Sequence, residues 1–304
     1  MHQDYLYQAG IAVGCEGPGP GVVRTSPVGM RRSRDGAHLQ NVLADARHWH
    51  EAFLADAESW SEERRGCDST RFILLENPRR AEVEDALVEC GQFLHQFSDR
   101  PDWNGGSLHF AFSGHGTDKG ELVLADGEFS PDELIELIAA TVDPNPPKRR
   151  RLGLVFDSCF SGLTLARIIV HPAHGSRVSI PDGFAAALHD EFAWELDSLG
   201  HGALTFTMQN PGNAHVDRNR LAKAVEQGDE AYLRLALQGF VPNPVTYLTE
   251  GDQHSLDLTN GHWLEIKGWG GVDVLGDVSL DELLHALERI RSHPEPDQRV
   301  EIGK

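Results

Sequence analysis

An α/β fold built on a mostly parallel sheet, with helices on both faces, is what this sequence predicts, and three observations predict it. Short apolar runs alternate with stretches of helical periodicity through the first half of the chain. Two of those runs, LHFAFSGHG and LGLVFDSCFSG, read as buried strands that stop abruptly on small residues. Helix-start signals stand between the runs, where crossovers between parallel strands are needed.

Taken in order, the first strand spans Ala9 to Gly14. A helix follows, because Leu39, Val42, Leu43, Ala46 and Phe53 fall largely on one face. Arg71 to Glu76 is the next strand, and Asn77-Pro78 places a cap and a proline at the start of a second helix. That helix carries Val83, Ala86, Leu87, Cys90, Phe93, Leu94 and Phe97 on its apolar face. Strands are expected at Ser107 to Ser113, Glu121 to Ala125 and Leu152 to Asp157, with Ser130-Pro131-Asp132-Glu133 opening a helix through a capping box. Pro172, Gly175, Pro181 and Gly183 predict a long surface loop over 163–200. Ala203 to Thr207 reads as a strand, Arg218 to Leu237 as a helix, and Ser279-x-x-Glu282 caps a last helix reaching Arg291.

The chain has 304 residues, 40% of them hydrophobic, which suits one large α/β domain or two small ones. Its formal charge of −20 argues against non-specific binding to nucleic acid or anionic membrane. The same charge fits cationic peptide ligands, or serves solubility alone. The N-terminal MHQDYLYQAGIAVG lacks a basic segment and an uninterrupted apolar one, and no later stretch approaches the roughly 20 apolar residues of a membrane span. A cytoplasmic protein is therefore expected. Cys15, Cys67, Cys90 and Cys159 lie far apart, suiting neither a disulfide framework nor a structural zinc site.

The chemistry concentrates at SGHG and DSC. Parallel sheets bind ligands outside the carboxyl ends of their strands, and His115 and Cys159 each follow such an end. A thiol with an ordinary pKa of about 8.5 is only slightly ionised at neutral pH, and an adjacent imidazole can take its proton. Gly116 lets backbone approach closely, so its N–H and that of Cys159 could hold a developing oxyanion. Taken singly, either side chain reads as packing; the pairing after two buried strands is what points to chemistry.

With those motifs in view, residues 5 to about 165 resemble the catalytic core of the caspase-like cysteine peptidases, nearest the prokaryotic caspase and metacaspase branch. AGIAVG matches the first strand, LQNVLADARHWHEAFL the L-x-G-C-x-N-D-A helix opening, FAFSGHG the histidine motif, and LVFDSCFSG the D-S-C-H-S-G motif. In caspases the histidine stands roughly 50 residues upstream of the cysteine, as here. Weaker matches are HGALTFTM, like H-G-x-F-T-x-x-L, and GDVSLDELL, like the closing helix. The resemblance implies a three-layer caspase-like fold with a mostly parallel six-stranded sheet in a single peptidase domain over 1–291. Within it, 1–165 is the catalytic core, 163–200 an activation and specificity loop, and 200–291 the second half; 292–304 is a flexible tail.

The resemblance also implies roles. His115 is general base and then acid, Cys159 the nucleophile, and the amides of Gly116 and Cys159 the oxyanion hole. No acidic third member is needed, since a main-chain carbonyl can orient the imidazole. The primary substrate pocket is lined by Asp45 and Asp157, and metacaspase-like enzymes with carboxylates there accept Arg or Lys. Leu39 aligns with the arginine by which caspases hold aspartate, although Arg31, Arg32 and Arg34 lie close by. Asp157 has a plainer reading too, as a carboxylate bonded to backbone amides at a strand end. Phe160 stands where metacaspases usually carry histidine and shapes the site without doing chemistry. The acidic run that follows S-G-H-G in calcium-dependent relatives is missing, so neither calcium nor another cofactor is expected.

Lys148-Arg149-Arg150-Arg151 reads first as a solvated turn, ahead of a nucleic-acid patch or a cleavage site. Arg167 and Arg177 are better candidates for processing cuts. The spacings of His48-Trp49-His50 and His171-x-x-His174 could serve a metal, but no matching ligands stand beside them, and no metal site is expected. The function expected is a cysteine endopeptidase cleaving protein substrates after Arg, or Lys, under an upstream activator or regulatory protein. By resemblance it works in prokaryotic stress or antiviral defence, CRISPR-linked cascades included. The alternatives are a catalytically silent scaffold that acts by protein binding, and a related hydrolase or transferase.

Overall fold

The computed structural model describes residues 7–17, 39, 41–64, 70–100, 103, 105–142, 150–173, 177–187, 189, 190, 193, 195, 196, 200–202, 204, 205, 245–250, 253–258, 262–267, 280, 281, 284 and 285. The predicted helix over 218–237, the tail after 291, Arg31, Arg32, Arg34, Cys67 and His174 lie outside them.

The strands are β1 (Gln8–Cys15), β2 (Thr70–Glu76), β3 (Ser107–Gly114), β4 (Leu122–Leu124), β5 (Gly127–Phe129), β6 (Arg150–Asp157), β7 (Val178–Ala185), β8 (Glu195–Leu196), β9 (His201–Gly202), β10 (Val245–Glu250), β11 (Gln253–Leu258) and β12 (His262–Lys267). The helices named here are α1 (Val42–Arg64), α2 (Arg80–His95), α3 (Pro131–Ala140) and α4 (Ser161–Val170). Strands β7, β6, β3, β1 and β2 lie side by side in that order, all parallel. Strands β10, β11 and β12 continue the sheet antiparallel beyond β7.

This is the expected α/β class, with one correction to the count: among the described residues the sheet has eight strands, five of them parallel, not six. Strands β10, β11 and β12 form a meander. Gly251-Asp252 and Asn260-Gly261, dipeptides that signal hairpins in a sequence, stand between these strands along the chain. The predicted strand at 121–125 is β4, which pairs with β5 as a separate small hairpin. The predicted strand at 203–207 is not one, since Leu204 and Thr205 are helical. The predicted loop over 163–200 contains most of α4 and all of β7, because LTLARIIV buries an apolar face that outweighs the later prolines and glycines.

Alternation along the central strands divides the core into two. On one face Ile11, Val13, Phe110, Phe112, Leu154 and Phe156 pack against α2, α3 and α4. On the other, Ala12, Ala111 and Val155 meet Trp49 of α1 and Leu204. The smaller side chains on this second face let α1 approach closely, and Gly14 extends the effect to the strand ends: a Cβ there would stand 2.6 Å from the Val42 carbonyl oxygen. The first turn of α1, with Asp45, is thereby seated over the carboxyl end of the sheet.

Local signals acted mostly as expected. Ser130 caps α3 through a full capping box. Asn77 does not cap α2, which starts after Arg79; its side chain instead bonds Glu16 beyond the end of β1. The basic tetrad is a further correction. Arg150 opens β6 and is only 1% exposed, with Nε and Nη1 unpartnered and Nη2 at 3.5 Å from the Thr141 carbonyl. Burial pushes its pKa down to about 10. An uncompensated buried cation opposes folding, so Arg150→Met is expected to raise the unfolding free energy by about 1 kcal/mol or more, read from urea denaturation midpoints at constant m-value.

Candidate active site

Parallel pairing places the two motifs together. The β3–β6 register runs to Ser113 opposite Asp157, so His115 and Cys159 each stand two residues past the last paired position on neighbouring strands. Just beyond, the backbones touch: a Cβ on Gly116 would lie 2.0 Å from the Cys159 carbonyl oxygen. Only glycine fits at that contact. Gly116 also bridges to Leu122, through the Thr117 amide and the His115 carbonyl, a pattern that leaves the Gly116 N–H out of the bridge. That amide suits the oxyanion role assigned to it.

Cys159 is half-buried and carries no disulfide, whereas Cys15 and Cys90 are fully buried. It occupies a sharp strand-to-helix turn: β6 ends at Asp157, and Phe160, with φ 56° and ψ 18°, is the N-cap of α4. A bulky residue in the left-handed region is strained, and bonds hold it in place. The amides of Leu163 and Thr164 donate to its carbonyl, while Gly162 N–H donates to Ala187 and Ala187 N–H to Ser161 Oγ. The positive end of α4 thus stands beside the thiol and favours its anion.

His115 is likewise half-buried, and desolvation lowers its pKa below the ordinary 6.5. At neutral pH the imidazole is uncharged and able to accept a proton. Gly17, at φ +108°, crosses its edge, where a Cβ would lie 3.0 Å from Cδ2.

The two predicted pocket carboxylates are also brought together, around Gly202. Asp45 Oδ2 accepts from Ser113 Oγ at 2.8 Å and from Gly202 N–H at 3.0 Å, while Oδ1 lies 2.8 Å from His201 Nδ1. Asp157 Oδ2 accepts from the Thr205 amide at 3.0 Å and the Thr205 hydroxyl at 2.7 Å, and a Cβ on Gly202 would strike it at 2.5 Å. Trp49 Nε1 donates in turn to Thr205 Oγ1 at 3.0 Å. Both carboxylates are buried, at 1% and 6% exposure. Ser113, Trp49, His201, Gly202 and Thr205 are the site residues that sequence reasoning missed. In the sequence Ala203 to Thr207 reads as a strand, which hides that His201, Gly202 and Thr205 donate to the two acids.

The processing candidates separate. Arg167 sits in the last turn of α4, its guanidinium bound to Asp132, Ser130 Oγ and the Lys119 carbonyl. A helical, pinned backbone does not present the extended chain that a peptidase cleaves. Arg177 is exposed in the turn before β7. Among the described residues no cluster of His, Cys, Asp and Glu could hold a metal ion, and no helix is long and apolar enough to cross a membrane. A scan against protein-family models and a search of curated proteins find no match to this chain.

Thr205→Val keeps the backbone bond to Asp157 but strips a hydroxyl from a buried carboxylate and an acceptor from Trp49. The expected cost is about 1–3 kcal/mol of stability, measured by urea unfolding, with Thr205→Ser restoring most of it.

Proposed function

We propose that the chain is a caspase-like cysteine endopeptidase that cleaves proteins after basic residues. The observation that carries the reading is the register of β3 and β6, under which an imidazole whose charged form is disfavoured and a half-buried cysteine follow adjoining strand ends. His115 takes the proton of Cys159 as its sulfur attacks the scissile carbonyl carbon. The carbonyl electron pair moves to oxygen, held by the amides of Gly116 and Cys159. On collapse the C–N bond breaks, His115 returns the proton to the leaving amine, and a thioester remains. Water, deprotonated by His115, then releases the acid and the thiol. The preference for Arg or Lys rests on Asp45 and Asp157, a double negative charge that a guanidinium can satisfy bidentately. By the same resemblance the substrates belong to prokaryotic stress or antiviral defence, with cleavage under the control of a partner.

One observation favours the second reading, a silent scaffold: both pocket carboxylates already have donors from their own chain. A fluorogenic peptide panel separates the two. Turnover of the Arg peptide, with the Asp peptide untouched, is expected; Cys159→Ala and His115→Ala should each lower kcat/KM at least about a thousandfold. Protein that stays inert on every peptide, even after limited proteolysis, would establish the scaffold.

The lowered pKa of His115 gives a second measurement. The base form still predominates at pH 6.5, so the acid-side midpoint of kcat/KM is expected below pH 6.5, read from the pH–rate profile. Stability has the same sign. The unfolded chain binds a proton at His115 that the folded chain resists, so the contribution of His115 is lost as pH falls below 6.5.

A further inference from the structure

Resting on the peptidase reading, the geometry around Asp45 points to a regulatory contact: His201 is an internal occupant of the cation pocket, and its imidazole must leave Asp45 before a basic substrate side chain can enter. The position of the donor is the first argument. His201 Nδ1 lies 2.8 Å from Asp45 Oδ1, so it holds a carboxylate oxygen that an incoming guanidinium N–H would need. Exposure is the second. The His201 side chain is 22% exposed and Asp45 only 1%, so of this bonded pair it is the imidazole that reaches solvent.

The third argument is that this donor can be moved cheaply. Ser113 belongs to the central sheet, and Leu204 is packed with Trp49, Ala12, Ala111 and Val155. His201 instead sits on the β8–β9 ribbon, which has two residue pairs and lies outside the eight-stranded sheet. Rotation of one side chain, with the His48 ring 6.1 Å away as its neighbour, uncovers Asp45 Oδ1 while Ser113 and Gly202 keep the carboxylate otherwise satisfied. Asp157 stays braced by Thr205 throughout, so the pocket opens without unfolding its walls. A chain built this way is self-restrained: substrate competes with the enzyme's own imidazole, and an activator that turns the His201 side chain away while Gly202 stays in place raises apparent affinity.

The test titrates benzamidine, a small aromatic cation, into Cys159→Ala protein with and without His201→Ala, using calorimetry. At least fivefold tighter binding in the double variant is expected, with KM for the Arg peptide falling by a similar factor when His201→Ala is made in the active chain. Benzyl alcohol, the uncharged analogue, should gain nothing. Unchanged or weaker benzamidine binding would overturn the inference, and so would an equal gain by benzyl alcohol, which would mean that the substitution only opened a hole. If His201→Ala loses its fold, His201→Ser is carried through the same comparison. Tightened benzamidine binding with no peptide turnover in either chain would sink the peptidase reading and keep the occupied pocket. Turnover without tightening would do the reverse.

Discussion

The pairing of β3 with β6 is the constraint on which the rest of this molecule depends. A parallel ladder has a side-chain period of two, so a slip of one residue would turn Phe110, Phe112, Leu154 and Phe156 out of their core and carry Ser113 and Asp157 to the wrong face. The register is therefore held by the whole apolar surface between the sheet and α2, α3 and α4. What that surface secures at the far end is small: two strands that stop at the same height, with Gly116 laid against the Cys159 carbonyl. Packing energy spread over many residues is converted into the placement of two.

A second layer of constraint comes from burying two acids side by side. Each carboxylate taken from water costs several kcal/mol unless donors replace its hydration. Here the replacements come from opposite sides of the fold. Ser113 is on the sheet, Trp49 acts from α1 through Thr205, and His201, Gly202 and Thr205 come from a segment far along the chain. The acids thus fasten the second half of the chain to the first. The atoms proposed to form the pocket are also the tertiary tie.

Much of this was legible in the sequence where one local signal decided the outcome. The central strands are apolar throughout, Ser130-Pro131-Asp132-Glu133 is a complete capping box, and both glycine-flanked motifs fall directly after buried runs. Local reading failed where a distant partner decided. Pro181 and Gly183 argue for a loop, yet β7 is a strand because β6 supplies a ladder for it. Arg150 reads as solvated among three other cations, yet the strand alternation that buries Leu152 and Leu154 buries it as well. Leu204 and Thr205 have β-branched and apolar neighbours, yet the donors demanded by Asp157 hold them in a helical turn. The meander over 245–267 was the opposite case, where the turn signal stood in the sequence unread.

The electrostatics of the proposed dyad follow from these same placements. Burial disfavours the charged form of the His115 imidazole and leaves it able to accept a proton. The N-terminus of α4 favours negative charge beside Cys159, and it does so at full strength only once the sulfur has lost its proton. Each device acts more strongly on the way to the transition state than in the resting chain, which is the condition for raising kcat rather than merely binding substrate. The pocket obeys the same logic from the other side, since its carboxylates are satisfied at rest and a substrate cation must offer more than the donors it displaces. Carboxylates already bonded within the chain fit the proposed peptidase if it stays quiet until a partner or a particular sequence engages it.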